Sequence, residues 1–321
     1  MEKVILLADK NSSSWGFAEK IQNYIQTSKE TKVSLRGVSM NRFRNGEEDI
    51  HVPENIRGKD VYFIHDSSKN PAEWWVQLIL LKDLLLSASA ESVSFVLPNM
   101  PYSRKDRKEK PHVPISARAL ANTISPNLKR IITMDLHAPQ IQGFYPENVP
   151  LDNLYSFPDA VRYIRENTGQ MENLENLVII SPDAGGVERA RSFAQKLGSI
   201  YPIAFIEKRR IRAGEIEEMR IVGEVKDKDV LLVDDIIDSG GTLCKAAELL
   251  KSEGAKSLMC YGTHGLFTKG TKEITSCFDR VMTSNTYPQT DSSVEVIDVS
   301  STFAEAIYRA QKDLSISKLF E

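Results

Sequence analysis

DVLLVDDIIDSGGTLCKAAELLKSEGA, residues 229–255, is the stretch on which the fold turns. It opens with an apolar run, passes through three acids and a Gly-Gly pair, and continues with helical periodicity, which is the pattern of a buried strand feeding a helix. The reading predicts a strand ending at Val233 and a helix beginning near Thr242. At such a junction the first N–H groups of the helix have no intrahelical partner, and the helix dipole adds positive potential. Gly240 and Gly241 remove side-chain bulk, so an anion can approach the backbone, while Ser239 and Thr242 add hydroxyl donors. Asp234 and Asp235 stand at the carboxyl end of the strand, where open α/β sheets bind ligands. Two carboxylates beside an anion site make sense for a ligand that carries hydroxyls or a metal next to its phosphate, as a sugar phosphate does. The stretch is neither G-x-x-x-x-G-K-[ST] nor G-x-G-x-x-G, so the common nucleotide fingerprints do not apply.

The same grammar runs outward in both directions. LVIISPDAGG (177–186) and VERARSFAQKLG form an earlier strand and helix, and SLMCYGTHGLF a later strand and loop. Alternation of this kind indicates a parallel sheet covered on both faces. The first half repeats the order: KVILLAD (3–9) and GFAEKIQNYI form a strand and helix, FAEKI at 17–21 parallels FAQKL at 193–197, and KDVYFIHD (59–66) parallels KDVLLVDD (228–235) at an offset of 169. QLILLKDLLLSASAESVSFV parallels AAELLKSEGAKSLMC at an offset of 165. This ordered recurrence argues for an internal duplication. The first half carries His65 and Asp66 where the second carries Asp234 and Asp235, so one copy of the loop is intact.

Bulk properties bound the function. The 321 residues suggest roughly two domains of about 150 residues. A net charge of −3 gives no basic excess for nucleic acid. The three cysteines, Cys244, Cys260 and Cys277, have no metal-ligand spacing and read as free thiols of a reducing cytosol. MEKVILLADKNSSSW does not read as a secretory signal, and VQLILLKDLLL is interrupted by Lys82 and Asp83 and too short to span a bilayer. The expectation is a cytoplasmic, soluble enzyme with no nucleic-acid or membrane partner.

VDDIIDSGGT resembles the phosphoribosyl-diphosphate loop of type I phosphoribosyltransferases and of ribose-phosphate pyrophosphokinases. RFRNGE (42–47), PYSRKDRK (101–108), TMDLHAPQIQGFY (133–145), SPDAGGVERA (181–190), EKRR (207–210), THGLF (263–267) and SISKLF (315–320) each resemble a pyrophosphokinase motif, in that family's order. The resemblance covers nearly the whole chain. It implies two duplicated phosphoribosyltransferase-like α/β domains, each a mainly parallel sheet flanked by helices. Residues 1–154 would contribute to the ATP site and residues 155–321 would bind ribose 5-phosphate, with the last helix packing back on the first domain. The implied reaction is transfer of the diphosphoryl group of ATP to the C1 hydroxyl of ribose 5-phosphate.

By the same resemblance, Phe43, Asn45, Gly46, Glu47, Arg104, Lys105 and His137 bind ATP, and His137 and Asp183 serve magnesium. Lys208 and Arg210 are catalytic. Arg210, Asp234, Asp235, Asp238, Ser239, Gly240, Gly241 and Thr242 bind ribose 5-phosphate. Read on residue type alone, Asp183 equally caps the helix after it, and KRRIRAGEIEEMR is equally a solvated charge run between two strands. Trp74 and Trp75 read as core or subunit-contact residues. The family implies a homo-oligomer, usually a hexamer, with part of each ATP site supplied by a neighbouring subunit. The chain departs from the pattern at Lys105, where glutamine is usual, at Arg44, where a small residue is usual, in KEKPHVP (108–114), and in PAEWW (71–75). Two rival readings are a phosphoribosyltransferase that consumes the diphosphate and a catalytically silent regulatory paralogue.

Overall fold

The computed structural model describes residues 3–167, 176–198, 201–209 and 218–320. The chain divides into two compact units, one formed by residues 1–155, 286–288 and 299–321, the other by 156–285 and 289–298.

The first unit contains β1 (Val4–Asp9), α1 (Ser14–Ser28), β2 (Ser34–Arg42), β3 (Glu48–His51), β4 (Asp60–Ile64), α2 (Pro71–Ser87), β5 (Ser92–Leu97), α3 (Ser116–Ile124), β6 (Arg130–Met134) and β7 (Leu151–Leu154). The second contains α4 (Phe157–Asn167), β8 (Leu177–Ser181), α5 (Val187–Leu197), β9 (Ile203–Arg209), β10 (Glu218–Val222), β11 (Asp229–Ile237), α6 (Gly241–Ser252), β12 (Ser257–Gly265), α7 (Lys272–Cys277), β13 (Arg280–Ser284) and β14 (Glu295–Ile297). The final helix, α8 (Ser300–Gln311), belongs to the first unit.

Each unit has a seven-stranded sheet, and the two orders correspond strand for strand: β3-β2-β1-β4-β5-β6-β7 and β10-β9-β8-β11-β12-β13-β14. All pairings are parallel except the β2–β3 and β9–β10 hairpins at one edge. This identity of topology accords with the repeated sequence, with β4 matching β11. Helices cover both faces, so alternate residues of one strand enter different cores. Ile5 and Leu7 join one cluster of the first unit, whereas Val4, Leu6 and Ala8 join the other, which includes Phe303 of α8. Val178 and Ile180 separate from Leu177 and Ile179 in the same way. Helix α8 docks on α1 through Phe17 and Phe303, whose rings meet edge to face at 5.4 Å, and through Lys29–Glu305 at 2.6 Å.

Two differences from the sequence reading concern the site. Strand β11 continues past Val233 to Ile237. Acids disfavour strands, but β12 keeps offering partners: Asp234 lies opposite Gly262, Ile236 opposite His264 and Ile237 opposite Gly265. Gly262 makes this extension possible, because a Cβ there would lie 2.4 Å from Ile237 Cγ1. Second, Lys208 and Arg209 belong to β9 itself, in antiparallel register with Met219 and Glu218, rather than to the segment between the strands. Among the described residues no helix is long and apolar enough to cross a membrane.

Candidate active site

The loop after β11 is held by the segment that follows β12. Leu266 and Phe267 donate their N–H groups to Ile237 O at 2.8 and 3.2 Å, and Thr268 N–H donates to Asp238 O at 3.0 Å. Thr268 Oγ1 also donates to Asp238 Oδ1 at 2.7 Å. THGLF (263–267) thus holds Ile237, and Thr268 just after it holds Asp238, which gives that acid a structural anchor. Gly240 caps α6 in the left-handed region at φ +80, and a Cβ there would come 3.2 Å from Ile274 Cβ, so the fold itself demands glycine. Gly241 is different. Its φ is not positive, and a Cβ would meet only Ser239 Oγ at 3.9 Å. Nothing in the protein needs that space. The helix start bears no side-chain cap, so its first N–H groups have no side-chain acceptor there, and the backbone beside Gly241 is open to an approaching anion.

Asp234 and Asp235 lie just before this loop, Asp235 buried and Asp234 partly so. Arg189, on the first turn of α5, places Nη1 3.2 Å from Asp234 Oδ1 and 3.1 Å from Asp235 Oδ1. Asp235 N–H donates to Asp234 Oδ1 at 2.9 Å. Burial and the adjacent Asp235 carboxylate push the Asp234 carboxyl well above the usual range, with Arg189 pulling the other way. One guanidinium shared between two carboxylates leaves an excess of acceptors, suited to the hydroxyls of a sugar. Arg189 was hidden in SPDAGGVERA because the sequence shows only that it is helical, not that the helix turns it toward β11.

Asp183 follows β8 on the same edge of the sheet. Its Oδ1 accepts from Gly186 N–H at 3.0 Å, capping the short 3-10 turn Ala184–Gly186. The capping reading of this residue is thus realised, and the residue as a whole is exposed. Lys208 lies near the end of β9. Arg210 lies outside the described residues.

The other candidates belong to the first unit. Phe43, Asn45, Gly46 and Glu47 form the tip of the β2–β3 hairpin, closed by Phe43 N–H to Glu47 O at 2.8 Å and Gly46 N–H to Phe43 O at 2.9 Å. Asn45 Oδ1 accepts from Glu47 N–H at 3.2 Å. The Phe43 ring is 56% exposed, an apolar face held in solvent by a well-bonded turn. His137 is exposed just past β6, where Asp135 adopts φ +40 and Leu136 N–H donates to Asn153 Oδ1 at 3.0 Å. Arg104 and Lys105 are exposed in the loop after β5. This loop faces the His137 segment: Gln140 Nε2 donates to Asp106 Oδ2 at 3.2 Å. Glu109 is held below its ordinary range by the hydrogen bond from Lys105, with smaller help from Arg107 and His137. The structure thus brings the Arg104–Lys105 loop against the segment that follows His137.

In the first unit the place corresponding to Asp234 and Asp235 is closed. His65 is buried, with Nδ1 2.9 Å from Asp66 O and Nε2 3.2 Å from Gln77 Oε1. Burial pulls its imidazole down to about 4. Trp74 packs its ring edge to face on His65 at 5.3 Å and is a core residue. Asp66 is consumed by Ser68 and by the N–H of Ser13. Among the described residues no three His, Cys, Asp or Glu side chains gather around a metal position.

Comparison with known proteins follows this geometry. Residues 6–126 match the family model described as the N-terminal domain of ribose phosphate pyrophosphokinase, and residues 150–302 match the phosphoribosyl transferase domain. The ribose-phosphate pyrophosphokinase of Rhizobium meliloti is 40% identical over 312 residues, covering 95% of this chain and 96% of that protein. That of Campylobacter jejuni is 41% identical, covering 92% of this chain and 94% of that protein. The crystal structure of phosphoribosylpyrophosphate synthetase from Mycobacterium smegmatis superposes with a TM-score of 0.85 at 30% identity, covering 97% of this chain and 99% of the other. With its matching pair of sheets and its intact loop after β11, the chain belongs to the ribose-phosphate pyrophosphokinase family.

Proposed function

We propose that this enzyme transfers the diphosphoryl group of ATP to ribose 5-phosphate, giving 5-phosphoribosyl 1-diphosphate and AMP. The observation that carries the reading is the uncapped helix start at Gly240, with open space beside Gly241 and the Asp234–Asp235 pair just before it. A 5-phosphate fits that space, and Asp234 and Asp235 accept hydrogen bonds from ribose hydroxyls. The C1 oxygen attacks the β-phosphorus of ATP. The bond from that phosphorus to the α,β-bridging oxygen breaks, the bridging oxygen leaves on AMP, and the C1 hydroxyl loses its proton.

The protein's contribution is positioning and charge. In this reading the hairpin tip lays the Phe43 ring on the base while Asn45, Gly46 and Glu47 read its edge, and Arg104 and Lys105 meet the polyphosphate. Lys208 and Arg210 offset the charge that develops on the transferred group. His137 and the exposed carboxylate of Asp183 suit magnesium, which takes few protein ligands and completes its shell with phosphate oxygens and water. When bound, magnesium neutralises phosphate charge. The free cysteines support a cytoplasmic enzyme, and the family resemblance supports a homo-oligomer, a hexamer. Light scattering that returned a monomer would contradict the last point.

Purified protein, magnesium, ATP and ribose 5-phosphate, with no nucleobase, are expected to yield AMP in step with the 1-diphosphate. Turnover only with a nucleobase would move the chain to the phosphoribosyltransferases, and no turnover at saturating substrates would favour a silent paralogue.

A further inference from the structure

The PAEWW segment, residues 71–75, has no part in the chemistry above, yet its side chains reach both segments assigned to the nucleotide. It forms the start of α2, fixed by the Asn70 side chain, which accepts from Ala72 N–H at 3.0 Å, and by Trp74, which is 1% exposed. Helix α2 begins about one turn earlier, relative to its last residue, than its counterpart α6. That extra turn carries Glu73 and Trp75.

Glu73 Oε1 lies 2.9 Å from Arg42 Nη2. Arg42 donates through Nε and Nη2 to Glu48 Oε1 at 3.0 and 2.6 Å. Gln77, one turn further along α2 and buried, donates Nε2 to the other oxygen, Glu48 Oε2, at 2.9 Å. Arg42 and Glu48 face each other across the hairpin and bracket the 43–47 tip. A five-residue tip with exposed side chains takes its direction from its base, and this base is gripped by α2 at two points. Burial works against the Glu48 carboxylate, but the hydrogen bonds from Gln77 and Arg42 keep it below its ordinary range, so the grip is charged at neutral pH. On the neighbouring side of the same turn, Trp75 meets Tyr102 edge to face at 5.3 Å. Tyr102 holds φ +64, and its carbonyl accepts from Lys105 N–H at 3.0 Å.

We infer that the first turns of α2 are a brace that sets the position of both nucleotide-holding segments, with Glu73 and Trp75 as positioning residues for ATP. The inference rests on the reading that the 43–47 tip and the Arg104–Lys105 loop hold the nucleotide. It gives the unusual PAEWW segment a role that a core-filling helix would not need.

The test measures binding of a non-hydrolysable ATP analogue with magnesium by calorimetry, and KM for each substrate, in Glu73→Ala, Glu73→Gln, Trp75→Leu and Phe43→Ala. Loss of the partly exposed Glu73 charge is expected to weaken the analogue about 3- to 5-fold, the range of an ordered surface ion pair. Glu73→Gln, which keeps a hydrogen-bond acceptor, recovers part of that loss. Trp75→Leu weakens the analogue by a similar factor, while kcat at saturating ATP and KM for ribose 5-phosphate stay within about 2-fold. Unchanged analogue affinity in Glu73→Ala and Trp75→Leu, with Phe43→Ala weakened, would overturn the brace and leave the tip assignment standing. Unchanged affinity in Phe43→Ala as well would overturn the tip assignment beneath it. A uniform fall in kcat and in affinity for both substrates, tracking a lower Tm, would reduce Glu73 and Trp75 to structural residues.

Discussion

Replacing Arg189 by leucine removes the guanidinium that touches both Asp234 and Asp235, at 3.2 and 3.1 Å. The Arg189 side chain is 22% exposed, so its pairs stand between a surface bridge worth about 1 kcal/mol or less and a buried one whose breakage costs about 3–5 kcal/mol. A cost of roughly 2–3 kcal/mol at pH 8 follows, which for a unit of this size lowers Tm by roughly 5–10 °C. The pH dependence separates this cause from lost packing. Burial and Asp235 already raise the Asp234 carboxyl, and Arg189 opposes them, so the variant's carboxyl rises further. A carboxyl whose folded pKa exceeds its unfolded value stabilises the fold below the unfolded pKa, and that contribution is lost as pH rises through the folded pKa. The variant therefore captures a proton at a higher pH than the parent does. Its deficit is largest at pH 8 and narrows as pH falls toward 5. Calorimetric unfolding of ligand-free protein in chelator, at unit steps from pH 5 to 8, measures this directly. A deficit that stays constant with pH, or grows on acidification, would refute the electrostatic account of the acid pair.

Two further outcomes are expected. His65 is buried with its pKa pulled to about 4, so between roughly pH 6.5 and 4 the unfolded chain binds a proton that the fold excludes, at a cost of about 3 kcal/mol by the acid end. The urea midpoint of the parent should fall across that window more steeply than that of His65→Gln, and equal slopes would contradict it. Asp183→Asn keeps a cap for Gly186 N–H but loses the carboxylate charge. Its Tm should stay within about 2 °C, because asparagine caps as well as aspartate, while the magnesium concentration for half-maximal turnover rises at least several-fold. An unchanged magnesium requirement would remove Asp183 from the metal's surroundings.

Much of this was legible in the sequence, and the residues show why. The βα units, their duplication and the loop after β11 are local patterns of period and punctuation, and they survive intact in two sheets of the same order. The loss of the loop in the first half was visible as His65 and Asp66, although only the structure shows His65 sealed under Trp74. The extension of β11 through two aspartates was not legible, because β12 supplies its pairing from more than twenty residues away. Arg189 and Glu73 were missed for a related reason. Helical periodicity gives a face, not the partner that the face meets. Lys208 was read into a loop because its charge outweighed the strand pairing that holds it opposite Met219.

The central claim is that the loop of the second unit holds the sugar phosphate while segments of the first unit hold the nucleotide. Gly241→Val tests it most directly, because a Cβ there meets only Ser239 Oγ, at 3.9 Å, so the added side chain occupies the open space beside the backbone without clash at its Cβ. Calorimetry on the folded variant should show ribose 5-phosphate binding weakened by at least about tenfold, as expected for a blocked anion cradle, with the magnesium complex of an ATP analogue bound as in the parent. Parental affinity for ribose 5-phosphate, or a loss confined to the nucleotide, would contradict the account.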